Sequence, residues 1–241
     1  MLKKRISTFF LLSGLFFSSI LAELPGLIDF SQFHSIDKGY YNHYDALEWR
    51  MGAYAFNYAP ELTSFFAMLR KTYQIDEAVE TGTFCGGTTV VFSSLFKNVH
   101  TIEIEPNNFA ASKAALEPYK NVQCHDGNSS DVLKEILPSL KGKRVLFYLD
   151  AHWQNYWPLL DELEEISRTH HNQCIIVIDD FKVPGRPEIP YDAYAQHECS
   201  YEYISQKLIK VFTDYTIHFL VPKSIYSRAK LVIIPKQWAE K

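Results

Sequence analysis

Residues 79–89 read VETGTFCGGTT, an apolar strand followed directly by a glycine-rich turn and the start of a helix. The acid and the glycines follow the pattern E-x-G-x-x-x-G, with Glu80, Gly82 and Gly86 at the fixed positions. This pattern is not the dinucleotide fingerprint G-x-G-x-x-G, and it lacks the Gly-Lys-Ser/Thr of a phosphate-binding loop. The stretch therefore indicates a ligand-binding turn of an α/β protein and argues against NAD and ATP. A plain turn is the alternative that a glycine-rich loop alone leaves open.

Strand and helix patterns alternate on both sides of this turn. Helices are predicted at 61–73, 88–96, 107–116, 130–140 and 156–168, and strands at 78–80, 100–104, 122–124, 145–149 and 175–178. Such alternation is typical of a parallel sheet covered by helices on both faces. After a helix at 201–212, the strand patterns at 215–221 and 230–235 follow each other without a helix, which predicts an antiparallel hairpin. The predicted fold is α/β: a doubly wound, Rossmann-like sheet of seven strands, mostly parallel, with a C-terminal antiparallel hairpin.

The composition suits one folded domain with a small-molecule partner. The chain has 241 residues, 47% of them hydrophobic, which is enough for one well-filled core. There are 24 basic and 28 acidic side chains, a formal net charge of −4, and no long run of either sign. Nucleic acid is therefore an unexpected partner. The sequence indicates no particular oligomeric state.

The N-terminal 60 residues differ from the rest. Lys3, Lys4 and Arg5 precede an apolar run, so residues 1–22 have the basic and hydrophobic regions of a signal peptide, with a cut expected before Glu23. Export or secretion follows from this interpretation, and an uncleaved membrane anchor is the alternative. Residues 23–60 form an aromatic-rich extension, either a substrate lid or a layer packed on the core. Residues 61–241 form the folded domain.

The four cysteines predict free thiols. Cys124 and Cys174 lie in apolar runs that are typical of buried thiols, and Cys85 lies in the glycine-rich loop. No C-x-x-C spacing is present, so a cysteine metal site is not indicated.

A second acid follows the glycine-rich turn at the spacing that nucleoside sites use. Glu103, in the segment TIEIEP at 101–106, ends the second strand of the predicted domain about 20 residues after the turn, where a carboxylate can accept hydrogen bonds from both ribose hydroxyls. Glu105 competes for this role, although it is equally well placed as a charge at a helix start.

Three aspartates follow the fourth and fifth of these strands. Asp150 lies in LDAHW, and Asp179 and Asp180 lie in IDDF. The carboxyl ends of adjacent parallel strands converge on one crevice. Carboxylates that close repel unless they are protonated or bridged by a cation, and oxygen ligands suit Mg²⁺ or Ca²⁺. We expect a divalent cation, Mg²⁺ first, on Asp150, Asp179 and Asp180; helix capping is the alternative.

Together these motifs resemble the cofactor motifs of class I S-adenosylmethionine-dependent methyltransferases of the catechol O-methyltransferase-like, metal-dependent group. The resemblance implies S-adenosylmethionine as cofactor, with Glu80 and Gly82 at its methionine part, Glu103 at its ribose and the Gly-x-Ser element after the third strand near its adenine. It also implies that residues 61–241 are the methyltransferase domain. The candidate cofactor contacts are Glu80, Gly82, Phe84, Gly86, Thr88, Glu103, Asp126 and Ser129.

The same resemblance implies one metal-binding aspartate after the fourth strand and an acidic pair after the fifth, which Asp150, Asp179 and Asp180 match. The lysine base of the catechol enzymes has no counterpart, because Ala151 is inserted and Gln154 follows the tryptophan. His152 is the nearest side chain able to accept a hydroxyl proton, and it is the catalytic candidate together with Asp150.

The function implied is metal-assisted O-methylation of a small-molecule or sugar hydroxyl. A metal-dependent hydrolase that uses the same carboxylates is one alternative. A non-catalytic ligand-binding protein on this fold is the other.

Overall fold

The computed structural model describes residues 26–29, 54–152, 156–194, 196–222 and 228–239, and of residues 26–29 and Ala239 it describes the backbone alone. The predicted signal peptide and most of the aromatic-rich extension lie outside this part of the chain. Within the described part, no helix is both long enough and apolar enough to cross a membrane.

The apolar runs of the sequence become the strands. These are β1 Gly26–Asp29, β2 Glu77–Thr81, β3 Asn98–Glu103, β4 Val122–Asp126, β5 Val145–Leu149, β6 Cys174–Ile178, β7 Ala193–Tyr194, β8 His197–Glu198, β9 Tyr215–Val221 and β10 Lys230–Pro235. The helices are α1 Ala55–Tyr58, α2 Leu62–Tyr73, α3 Gly87–Leu95, α4 Pro106–Leu116, α5 Ser129–Leu140, α6 Leu159–Thr169, α7 Tyr201–Val211 and α8 Lys236–Ala239. The predicted helix at 156–168 begins three residues later than expected, directly after Pro158.

The main sheet has the order β1-β9-β10-β6-β5-β2-β3-β4. Strands β2 to β6 pair in parallel, whereas β10 runs antiparallel to both β6 and β9. The predicted fold is therefore confirmed: all seven strands are present, in a mostly parallel sheet that ends in the antiparallel hairpin.

Two additions extend the predicted sheet plan. Strand β1 pairs in parallel with β9 and covers that edge, which would otherwise present unpaired backbone groups. Strands β7 and β8 form a separate two-stranded ribbon between β6 and α7. Neither short segment shows the length or alternation from which a strand is predicted.

Helices cover both faces of the sheet. Apolar residues of α5, α6 and α7 pack on one face, and those of α2 and α3 pack on the other. The central strands β5 and β6 are buried along their whole length, as a strand between two helical layers must be. Strand order reverses between β2 and β5, and at such a switch point the carboxyl ends of the strands leave a crevice.

The one-turn helix α1 joins the extension to the second helical layer. Phe56, Asn57 and Tyr58 all have positive φ. Phe56 is fully buried, and its ring contacts those of Phe66, Phe92 and Tyr148 at centroid distances of 4.7, 5.6 and 5.8 Å. At Phe56 the extension therefore packs on the core. Asn57 and Tyr58 instead reach the crevice described next.

Candidate active site

A cavity of about 550 Å³ lies at the carboxyl ends of the strands on both sides of the switch point. Most of its wall comes from the turns that follow β2, β3, β4 and β5, with additions from α1 and from the segment before β10. The lining residues are Asn57, Tyr58, Gly82, Phe84, Ile102, Glu103, Ile104, Asn108, Gly127, Asn128, Ser129, Asp150, Ala151, His152, Tyr156, Pro158, Asp180, Asp192 and Arg228.

Gly82 has a structural reason to be glycine. Its φ is 84°, and a Cβ atom there would lie 2.7 Å from the carbonyl oxygen of Asp150. The backbone N–H groups of Gly82 and Thr83 both donate to the carbonyl of Ile102, at 2.9 and 3.2 Å. The turn is therefore held between β3 and the end of β5. Phe84 projects at the rim of the cavity with 67% of its surface exposed.

The Glu103 carboxylate is held in position by backbone groups. Its Oε2 accepts from the Phe84 N–H at 2.7 Å, and its Oε1 accepts from the Glu105 N–H at 2.9 Å. Glu105 has a different role, because its own carboxylate accepts from the Asn108 N–H and caps α4. Of the two acids that compete for the ribose in the sequence, only Glu103 lines the cavity.

Four of the predicted cofactor contacts lie on the wall, and four lie away from it. Gly82, Phe84, Glu103 and Ser129 line the cavity, whereas Glu80, Gly86, Thr88 and Asp126 do not.

The four residues away from the wall have other surroundings. Glu80 is buried under the turn, where its carboxylate accepts from the hydroxyls of Thr89 and Thr101, and burial raises its pKa to about 7. Thr88 accepts from the Phe56 N–H at 2.9 Å, Gly86 faces Leu116, and Asp126 is exposed. In this structure the acid at the end of β2 supports the glycine-rich turn from below.

Acidic and basic groups meet at the other end of the cavity. Asp150, Asp180 and His152 line it, as does Arg228. Desolvation and the charges of Asp179 and Asp180 hold the pKa of Asp150 well above its usual range, and burial together with Asp179 raises that of Asp180 to about 7. The His152 ring stacks on Tyr194 at 4.3 Å, and desolvation lowers its pKa.

The predicted divalent cation does not fit this arrangement. Asp179 is fully buried behind the wall, and its Oδ1 accepts from the ammonium of Lys230 at 2.6 Å and from the Asp180 N–H at 2.7 Å. Its Oδ2 accepts from the Tyr148 hydroxyl and from the Asn57 side-chain amide. Among the described residues, no three His, Cys, Asp or Glu side chains are grouped so as to hold a metal ion. Asp150, Asp179 and Asp180 thus lie near one another as the sequence predicts, and Asp179 is already paired with Lys230.

Several wall residues were not found from the sequence. Arg228 and Asp192 form an ion pair of 2.8 Å at the cavity, and Asn57 and Tyr58 enter from the extension. None of them follows a β-strand at its carboxyl end, which was the signal that located the other candidates. Arg228 and Lys230 stand in the sequence as basic residues at the last strand. Their approach to the aspartates depends on the pairing of β10 with β6.

Comparison with known proteins agrees with the fold. Residues 79–181 match a family model described as a methyltransferase domain. No match was found among curated proteins.

Solved structures resemble the whole domain at low sequence identity. The O-methyltransferase TomG from Streptomyces achromogenes, in complex with S-adenosylmethionine, is 15% identical with a TM-score of 0.58, over 85% of this chain and 97% of that one. An O-methyltransferase from Bacillus cereus in complex with S-adenosylhomocysteine is 14% identical with a TM-score of 0.56, over 85% and 94%. An S-adenosylhomocysteine-bound methyltransferase from Podospora anserina is 13% identical with a TM-score of 0.51, over 83% and 97%.

At these identities the likeness establishes the fold, while the family match identifies the domain that contains the glycine-rich turn and the aspartates. Residues 79–181 are accordingly similar to a methyltransferase domain, and the described part of the chain has the fold of the methyltransferases named above.

Proposed function

We propose that the chain transfers a methyl group from S-adenosylmethionine to an oxygen atom of a small-molecule acceptor. The observation that carries this proposal is one cavity whose wall holds the Glu103 carboxylate and also a cluster of proton-binding groups, Asp150, His152 and Asp180. The O-methyltransferases among the structures of similar fold support oxygen as the acceptor atom.

The residues around Glu103 suit a nucleoside. A carboxylate has about four lone-pair positions, and two backbone N–H groups use two of them, so that two remain for a pair of vicinal hydroxyls. Because the two N–H groups also fix its orientation, the carboxylate needs little rearrangement on binding. The exposed Phe84 ring beside it offers an apolar contact.

The residues at the opposite end suit the acceptor. When bound, S-adenosylmethionine supplies a methyl group on a positively charged sulfur. As the acceptor oxygen forms its bond to this carbon, its proton must leave, and the lowered pKa of His152 keeps a ring nitrogen free to take it. Asp150, which binds a proton readily, can donate a hydrogen bond to the acceptor and hold it in place.

Calorimetry with S-adenosylhomocysteine tests the cofactor half of the proposal. We expect saturable binding of one equivalent; a protein that ignores the nucleoside, as a metal-dependent hydrolase would, contradicts the proposal. Transfer of labelled methyl to a panel of phenols, catechols and sugars tests the other half. Binding without transfer to any of these acceptors would instead favour the non-catalytic ligand-binding alternative.

A further inference from the structure

We propose that the ammonium group of Lys230 and the guanidinium group of Arg228 supply the positive charge that a divalent ion supplies in metal-dependent O-methyltransferases. Methyl transfer by this chain then needs no divalent cation. The statement about transfer rests on the proposed function, whereas the statement about the cation concerns the residues of this chain alone.

The first step is the burial of the ion pair. The side chains of Lys230 and Asp179 are both fully buried, and the distance from Nζ to Oδ1 is 2.6 Å. The ammonium also donates to the carbonyl of Arg228 at 3.3 Å. A buried charge persists in a fold only where it is paired and hydrogen-bonded, so Lys230 and Asp179 require each other.

The second step is the coordination capacity of Asp179. Four donors reach its two oxygens: the Lys230 ammonium, the Tyr148 hydroxyl, the Asn57 amide and the Asp180 N–H. An ionised carboxylate has about four lone-pair positions, so these donors occupy its capacity. A metal ion at Asp179 would have to displace one of these donors, and it would place a second positive charge beside the buried ammonium of Lys230.

The third step is the strand register, which makes the arrangement a property of the sheet. Leu231 of β10 lies opposite Ile178 of β6 in an antiparallel pair, so the preceding Lys230 lies beside the following Asp179. The Phe181 N–H continues the pairing by donating to the carbonyl of Ala229 at 2.7 Å.

Arg228 lies two residues before Lys230 and is close to Asp180, the second of the two aspartates. Its Nη1 lies 3.7 Å from Asp180, and its Nη2 lies 2.8 Å from Asp192. Each aspartate that follows β6 is thus matched by a cation from the segment that leads into or begins β10. Because both cations belong to the chain, the charge at the cavity is in place as soon as the sheet forms.

The test measures thermal shifts on chelator-treated full-length protein with added Mg²⁺ or Mn²⁺. We expect the melting temperature of the parent protein to stay unchanged. In Lys230→Ala the melting temperature should fall, and the freed Asp179 should now bind the ion, raising it by ~5–10 °C at about a hundredfold excess of metal over its dissociation constant. The control Lys236→Ala removes an exposed ion pair with Asp214 and should show neither effect.

If Lys230→Ala does not fold, the paired variant Lys230→Met with Asp179→Asn removes both buried charges together, and its recovery of a cooperative transition supports the pairing. A metal-dependent rise in the melting temperature of the parent protein, lost in Asp179→Asn, would overturn the proposal. So would stoichiometric metal in the parent protein by elemental analysis. Absence of S-adenosylhomocysteine binding would remove the proposed function but leave these thermal readouts intact, so the two failures are distinguishable.

Discussion

Glu103 and Glu105 are two residues apart and carry the same side chain, yet the structure gives them different tasks. Glu103 faces the cavity and Glu105 caps α4. We therefore expect Glu103→Ala to weaken S-adenosylhomocysteine binding more than tenfold, since hydrogen bonds to a charged group contribute about 1.5–3 kcal/mol. Isothermal calorimetry measures this directly.

Glu105→Ala is the matched control for that variant. Loss of the cap should lower the unfolding free energy by about 1 kcal/mol and leave the dissociation constant unchanged. Equal affinities in parent and Glu103→Ala proteins would refute the ribose assignment, and a weakened Glu105→Ala protein would move it to the other acid.

Gly82 and Gly142 distinguish two energetic costs of adding a side chain, which are backbone strain and steric overlap. Both have positive φ, but a Cβ atom at Gly82 would lie 2.7 Å from the backbone of Asp150, whereas nothing lies within 4 Å at Gly142. We expect Gly142→Ala to cost about 1 kcal/mol from backbone strain alone, and Gly82→Ala to cost at least ~3 kcal/mol because a backbone must also move. Urea unfolding of the two variants compares them. Similar losses would show that the close approach to Asp150 relaxes easily.

Sequence patterns locate the residues that directly follow a strand. They do not reveal contacts between residues that are far apart in the sequence. Glu103, Asp150 and Asp180 were placed at the crevice because strand ends converge there. The metal prediction did not take into account that Asp179 is paired with a lysine 51 positions away. The sequence indicates that three neighbouring carboxylates need a positive charge nearby, but the contact of Asp179 with Lys230 depends on tertiary structure.

Between elements, the pairing of β3 with β4 brings two histidines into contact. The Nδ1 of His100 lies 3.0 Å from the Nε2 of His125, and their rings stack. Burial and the charge of His125 lower the pKa of His100 to about 4, and burial also lowers that of His125. Glu77 and Glu135 act against this lowering, and Lys143 adds to it.

This pair should make the protein less stable in mild acid. A histidine whose folded-state pKa is below its unfolded value of about 6.5 takes up a proton on unfolding, so stability falls as the pH drops from about 6.5 toward about 4. We expect His100→Gln to lose part of this dependence, seen as a smaller difference between unfolding free energies at pH 7.5 and pH 5.

Several buried carboxyl groups act in the opposite direction. Burial raises the pKa of Glu80 and Glu162 to about 7, which favours the folded state as the pH falls, but this contribution is common to parent and variant. The substitution His171→Gln, at an exposed histidine, serves as the control. An unchanged pH dependence in His100→Gln would show that the pair is already open in the folded protein.

The elements themselves were largely predictable, and their exceptions have local causes. Strands β5, β9 and β10 have the predicted limits, because each is an apolar run bounded by polar or turn-forming residues. Strand β1 was missed because four residues carry too little pattern, and α1 was missed because its consecutive positive φ values have no signature in non-glycine residues.

At the scale of the whole molecule, the proposed use of S-adenosylmethionine bears on the predicted signal peptide. We propose that residues 1–22 are removed on export, which would take the formal charge from −4 to −7 by the loss of Lys3, Lys4 and Arg5. All four cysteines are free thiols in the structure, with Cys174 and Cys199 buried.

Intact-mass measurement of denatured, alkylated protein tests both features at once. We expect a chain that begins near Glu23 and carries four alkyl groups. Retention of Met1 in a membrane fraction would favour the anchor instead. Fewer than four alkyl groups without prior reduction would show that oxidation has paired some of the cysteines.

Tyr148 connects the hydrophobic core to Asp179. Its ring belongs to the aromatic cluster of Phe56, Phe66 and Phe92, while its hydroxyl donates to Asp179. A change of ring size in that cluster would tilt the Tyr148 ring and shift the Asp179 carboxylate behind the cavity wall. Libraries made to broaden the acceptor range should therefore sample these phenylalanines, which do not line the cavity, alongside the residues of the cavity wall.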